Sequence, residues 1–174
     1  MNKKIKVKLT PRSIGDFIKT LKSYEKWLNK KRDEICEKLA MYGVTSASIK
    51  FARSIYTGDK DFKVTLKKID NGYKVLANGE SVLFIEFGAG AKYGYGHPDV
   101  QEYGPGTYPG AGHWDDPNGW WFPTNNPNFI KHIDRDGQGW GHSYGNVPNA
   151  PMYNTLKELE EQLPHIIKEV FSRD

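Results

Sequence analysis

Ser81-Val82-Leu83-Phe84-Ile85-Glu86-Phe87-Gly88-Ala89-Gly90 is the most apolar run in the chain, and the fold turns on how it is read. A short continuous apolar run bounded by turn residues fits a buried strand. Working backwards, Asn78-Gly79 and Asp70-Asn71-Gly72 are hairpin signals, because Asn and Gly tolerate positive φ. They separate 81–87 from Tyr73, Val75 and Ala77, and those from Phe62, Val64 and Leu66, each set alternating with polar residues. Ala47, Ile49 and Phe51 alternate in the same way. The reading is an antiparallel meander ending in 81–87, with a further short strand at 46–51.

Helices flank this sheet. Thr10-Pro11 supplies an N-cap followed by proline at the first helical position. Ile14, Phe17, Ile18, Leu21, Tyr24, Leu28, Ile35, Leu39 and Tyr42 then recur at helical spacing, and Gly43 is placed to end the helix. Upstream, Ile5, Val7 and Leu9 alternate with lysines as a strand would. Pro151 opens a terminal helix with Met152, Leu156, Leu159, Leu163, Ile166, Ile167 and Val170 on one face, and Pro164 should kink or interrupt it. The expected class is α+β: an antiparallel β-meander packed by a long N-terminal helix and a C-terminal helix. The 174 residues fit one domain, with a core of 1–87 and 148–174 and an excursion over 88–147.

That excursion is unusual in composition. Residues 88–150 hold 13 of the 18 glycines, 11 of the 23 aromatic residues and four of the five histidines. Turn residues exclude a long helix there, yet the stretch is too aromatic for a plain linker. It reads as an ordered loop pinned by its rings. Charge is split as well: residues 1–79 carry 19 Lys and Arg against 8 Asp and Glu, and residues 80–174 carry 6 against 13. The overall +4 is thus +11 and −7. A basic half fits a solvated face or nucleic acid, and opposite halves fit head-to-tail association of copies. No apolar run is long enough to span a bilayer and no apolar segment follows the basic N-terminus, so a soluble protein made inside the cell is expected.

Motifs for chemistry are weak. After Gly88-Ala89-Gly90 the third glycine of a dinucleotide loop is replaced by Tyr93, and no P-loop exists. Asp134-Arg135-Asp136-Gly137 starts like a calcium loop but lacks the later ligands, so a turn is expected. His97, His113, His132 and His142 share no metal-binding spacing, and packing on aromatic rings accounts for them. Cys36 sits beside an apolar helix position as a packing residue. No metal or cofactor and no enzymatic activity are expected. Trp114, Trp120, Trp121, Phe122 and Trp140 could form a sugar-stacking platform, a protein contact or a small loop core. Stacking on nucleic acid is disfavoured, since 88–150 carries Lys92, Lys131 and Arg135 against six acids.

The order of parts resembles the HK97 gp10-like family of phage tail and neck proteins. A charged helix precedes a meander ending in Glu86-Phe87-Gly88-Ala89-Gly90, and Pro148-Asn149-Ala150-Pro151-Met152 leads into the last helix. These match the family's "(V/I)-E-(F/Y)-G-T-G" and "P-A-x-P-F/M" patterns, at Glu86, Phe87, Gly88, Gly90, Pro148 and Pro151, with Ala89 in place of the frequent threonine. The resemblance implies a non-enzymatic virion protein without a cofactor, forming a homo-oligomeric ring, a hexamer in preference, at the head–tail junction or tail end. Its partners would be neck or connector and tail tube proteins, with DNA passing through the lumen and no membrane involved. Trp114, Trp120, Trp121, Phe122 and Trp140 would then lie in contacts between subunits or rings. The alternatives are a carbohydrate or cell-wall binding module built on the aromatic loop, and a small hydrolase using its His and Asp residues.

Overall fold

The computed structural model describes residues 10–56, 58–103 and 116–173; the strand expected over 5–9 and Trp114 lie outside them. The chain is α+β. Helix α1 spans Pro11–Arg53, 43 residues, or about 65 Å at ~1.5 Å per residue. Thr10 caps it, with Ser13 returning the bond in a reciprocal capping box.

Two expectations on this segment fail together. Gly43 does not end the helix, and 46–51 is not a strand but the last turns of α1. Ala47, Ile49 and Phe51 do alternate, but Ala47 and Phe51 also stand four apart. The burial decides for the helix: Ala40, Gly43, Ala47, Phe51 and Ser54 are all buried at spacings of three and four, while Ile49 is exposed. Gly43 has a packing role instead. A Cβ there would lie 3.1 Å from Val75 Cγ2 and 3.3 Å from Leu159 Cδ1, so its absence lets α1 sit close to two neighbours.

Strands β1 (Lys63–Ile69) and β2 (Gly72–Asn78) form the expected hairpin, from Lys63 opposite Asn78 to Ile69 opposite Gly72. The meander stops there. Residues Val82–Phe87 form helix α2 rather than a third strand. Val82, Ile85 and Glu86 are buried, the i, i+3, i+4 set of a helix, and Leu83 is exposed. The uninterrupted apolar run has no period of its own, and position decides. The Ser81 hydroxyl donates to the Asp61 carbonyl at 2.6 Å, which starts the turn that becomes α2. Phe51, Val82 and Ile85 form the core cluster, with Tyr56, Phe62, Val64, Ala77 and Met152 packed round it.

The excursion contains a short helix α3 (Val100–Tyr103) and a second sheet of β3 (Trp120–Pro123), β4 (His132–Ile133) and β5 (Gly139–Ser143), antiparallel in the order β3-β5-β4. Asp134-Arg135-Asp136-Gly137 is the turn between β4 and β5. Helix α4 spans Pro151–Ser172 and runs through Pro164 uninterrupted. It runs along α1, tied by Lys31 Nζ to the Val170 carbonyl at 2.8 Å, Lys38 to Glu169 at 2.9 Å, and Lys50 and Ser46 to Glu158. The hydrogen bond from Lys50 is the main reason that Glu158 titrates below the usual carboxylate range, and that from Lys38 does the same for Glu169. No helix among the described residues is long and apolar enough to cross a membrane.

Gly43→Leu should overfill the α1–β2–α4 contact and lower stability by about 1–3 kcal/mol. Gly43→Ala gains helix propensity against a tight but yielding contact and should stay within about 1 kcal/mol of the parent. Urea unfolding midpoints check both, and equal losses for the two variants would contradict the close-packing role.

Candidate functional site

The resemblance motifs, more than fifty residues apart in sequence, meet at one point. Helix α4 begins at Ala150–Pro151, and Ala150 (φ 47°, ψ 47°) has no side chain with which to cap it. The free N–H groups of the first turn need acceptors, and water has little access there. Glu86 provides them from α2. Its Oε2 accepts from Met152 N–H at 2.7 Å and its Oε1 from Tyr153 N–H at 3.0 Å, while its own carbonyl accepts from Ala150 N–H at 3.2 Å. The carboxylate, 6% exposed, thus lies at the positive end of the α4 dipole.

His97 completes the arrangement. Its Nδ1 accepts from Asp99 N–H at 3.1 Å, which assigns the proton to Nε2, facing Glu86 Oε1 at 3.4 Å. The ring is buried between Phe87 (centroids 4.7 Å apart), Tyr153 (5.7 Å) and Tyr103 (6.0 Å). Both Glu86 oxygens are therefore occupied by structural donors. The cluster has the chemistry of a buried helix cap, with three donors gathered on one carboxylate.

Around it the two ends of the excursion are stitched together. Ala89 and Asn146 exchange N–H···O bonds at 3.0 and 3.1 Å, and Asn146 Nδ2 donates to the Phe84 carbonyl at 2.7 Å. Asn149 Oδ1 accepts from Ile55 N–H at 2.8 Å and its Nδ2 returns to the Ile55 carbonyl at 2.9 Å, tying the exit of α1 to the start of α4. Gly88 lies at φ 76°, and a Cβ there would come within 2.8 Å of the Asn146 carbonyl and of the Pro148 ring. Gly90, at φ 85°, would meet the Tyr144 carbonyl at 2.8 Å and the Trp120 ring at 3.3 Å. Left-handed backbone and close approach both demand glycine at these two motif positions. Pro151 is fully buried. Glu86, Phe87, Gly88, Gly90, Pro148 and Pro151 are thus one junction. Asn146, Asn149 and His97 belong to it too, although no local pattern singles them out.

The tryptophans divide by strand alternation. In β3, Trp120 and Phe122 face inward and Trp121 and Pro123 outward. Trp120 is 7% exposed and Trp121 53%. Trp121 forms an outward row with His142 (4.8 Å, edge-on) and Tyr144. Trp140 donates from Nε1 to Asp134 Oδ2 at 2.8 Å, and that bond is the largest of several that hold the Asp134 carboxylate below its usual range. His97 and His142 both pack on rings. His113 and Asp115 lie outside the described residues, and among those described no three His, Cys, Asp or Glu side chains group as metal ligands do.

A groove of about 750 Å³ opens on the other side of the junction, between α1, β2, α2 and α4. Leu39, Val75, Leu83, Phe87, Leu156 and Leu159 line it, with Glu86 and His97 at one end. Asp99 and Tyr103 stand at that end as well. The Tyr103 hydroxyl titrates above its usual value because Glu102 lies beside it, helped by Asp99 and Glu86. Comparison with family models, curated proteins and solved structures finds no match for this chain.

Removing the Glu86 cap leaves buried N–H groups without an acceptor. Glu86→Ala should cost roughly 2–4 kcal/mol, the scale of losing charge-assisted buried bonds, and Glu86→Gln about half as much. Chemical denaturation measures the difference; a Glu86→Ala protein as stable as the parent would show that α4 does not depend on this carboxylate.

Proposed function

We propose that this chain is a non-enzymatic structural subunit of a phage or phage-tail-like particle, forming a homo-oligomeric ring at the head–tail junction or tail end during tail completion or neck assembly. The observation that carries the reading is the start of α1. Near its C-terminal end helix α4 meets α1 at Trp27 and Lys31, through Phe171 (5.6 Å to Trp27) and the Val170 carbonyl. Ile14, Ile18 and Leu21 lie before that point, and all three are exposed. Four helical turns that carry an uncovered apolar stripe belong to a subunit completed by something outside itself.

Three further features support it. The motifs that carry the family resemblance form a rigid junction whose polar groups are spent on structure, as in a building block rather than a catalyst. The lysines of α1 give a ring a basic surface along which DNA could pass without sequence reading. The outward row of Trp121, His142 and Tyr144 suits contact with an adjacent ring, since exposed aromatics anchor protein interfaces.

The test is genetic and structural. Deleting the coding sequence from a phage or particle producer should leave heads and tails that form separately and do not join, or tails left unfinished. The chain should also be found by mass spectrometry in purified intact particles. Complete, infectious particles assembled without it would contradict the reading.

A further inference from the structure

The uncovered helix and the uncovered groove are complementary. On α1, Ile14, Phe17, Ile18 and Leu21 stand at i, i+3, i+4 and i+7, the anchor spacing of a helix laid into an apolar groove. Ile18 is 46% exposed. The flanks of this stretch carry Arg12, Lys19, Lys22, Lys26 and Lys30 against Asp16 and Glu25. Across the molecule, the groove floor presents exposed Leu83 (49%) and Leu156 (52%). At the α3–α4 end its rim carries Asp99, with Glu102 and Glu160 close by and Lys157 held by Glu160 at 3.1 Å, while at the hairpin end Lys68 lies over the Tyr73 ring.

We propose that the first turns of α1, residues 11–26, dock into this groove on a second copy of the same chain, with Ile14, Ile18 and Leu21 against Leu83 and Leu156. The inference rests on the ring reading and supplies its interface.

Charge argues for this occupant over a pairing of two α1 helices. Two copies of the same lysine-rich stretch brought side by side repel, whereas the α3–α4 end of the groove offers Asp99, Glu102 and Glu160. The stripe and the groove are also different surfaces of one chain, so the contact is heterologous. Each copy offers one of each, and such contacts repeat until a ring closes or a filament grows. A partly electrostatic contact also weakens with added salt.

Two single substitutions at exposed positions test it, Ile18→Asp on the helix and Leu83→Asp in the groove, with mass measured by size exclusion and light scattering. Circular dichroism verifies that each variant keeps its helices, and Leu156→Asp replaces Leu83→Asp if the latter does not. The wild type should form oligomers that shrink as salt rises. Each variant alone should run as a monomer, with self-association weakened at least tenfold. Mixed one to one, the variants should form a complex of two chains and no larger, because each pair retains one intact helix and one intact groove. If the wild type oligomerises and either variant does so equally well, the contact lies elsewhere and only this inference falls. If both variants are monomeric but their mixture stays so, the helix does not enter the groove. A wild type that stays monomeric at every concentration and salt would overturn the inference and also count against the ring.

Discussion

The structure depends on one carboxylate. Glu86 holds the first turn of α4 because Ala150 cannot, and through that bond it fixes where the last helix begins. Much else follows from that anchoring. The helix is set along α1, Gly43 can close against Leu159, and the excursion over 88–147 leaves and returns at adjacent points. A long insertion adds little closure entropy once its ends are pinned this closely. Placing the charge at a helix N-terminus, with two N–H donors and the His97 ring around it, makes its burial tolerable.

Much of this was legible in the sequence and some was not, for definite reasons. The Thr10-Pro11 start of α1, the Asp70-Asn71 hairpin turn and the Pro151 start of α4 are local signals, and local bonding decides them. Residues 46–51 satisfy both a period of two and a spacing of four, and only the exposure of Ile49 separates these. Residues 82–87 are apolar almost throughout, so no period shows which face is buried until Asp61 and the core are in place. At the junction, Glu86 and the glycines stand out by their order along the chain. His97, Asn146 and Asn149 do not, because their roles are set by partners between 11 and 94 residues away. The inward Trp120 and outward Trp121 differ only by strand alternation, which the dense turn residues of 88–150 concealed.

The charge split acquires a more exact meaning. Part of it is used within the subunit, where Lys38 meets Glu169 and Lys50 meets Glu158 between α1 and α4. Such half-exposed pairs contribute little each, and they orient two helices more than they stabilise them. Among the other lysines, Lys19, Lys22 and Lys26 stand on the start of α1 and Lys63, Lys67, Lys68 and Lys74 on the hairpin, while Asp99, Glu102 and Glu160 lie by the α3–α4 end of the groove. The same opposition that aligns two helices inside one chain is therefore available between chains.

The proposed assembly is a ring in which each subunit is completed by its neighbour's first helix. Electron microscopy of the purified protein, with class averages fine enough to trace α1, tests this most directly. Closed rings are expected in which the N-terminal end of each α1 crosses to the next subunit and lies between its hairpin and α4. Rings in which α1 stays free, or twofold dimers in which two α1 helices lie against each other, would contradict it.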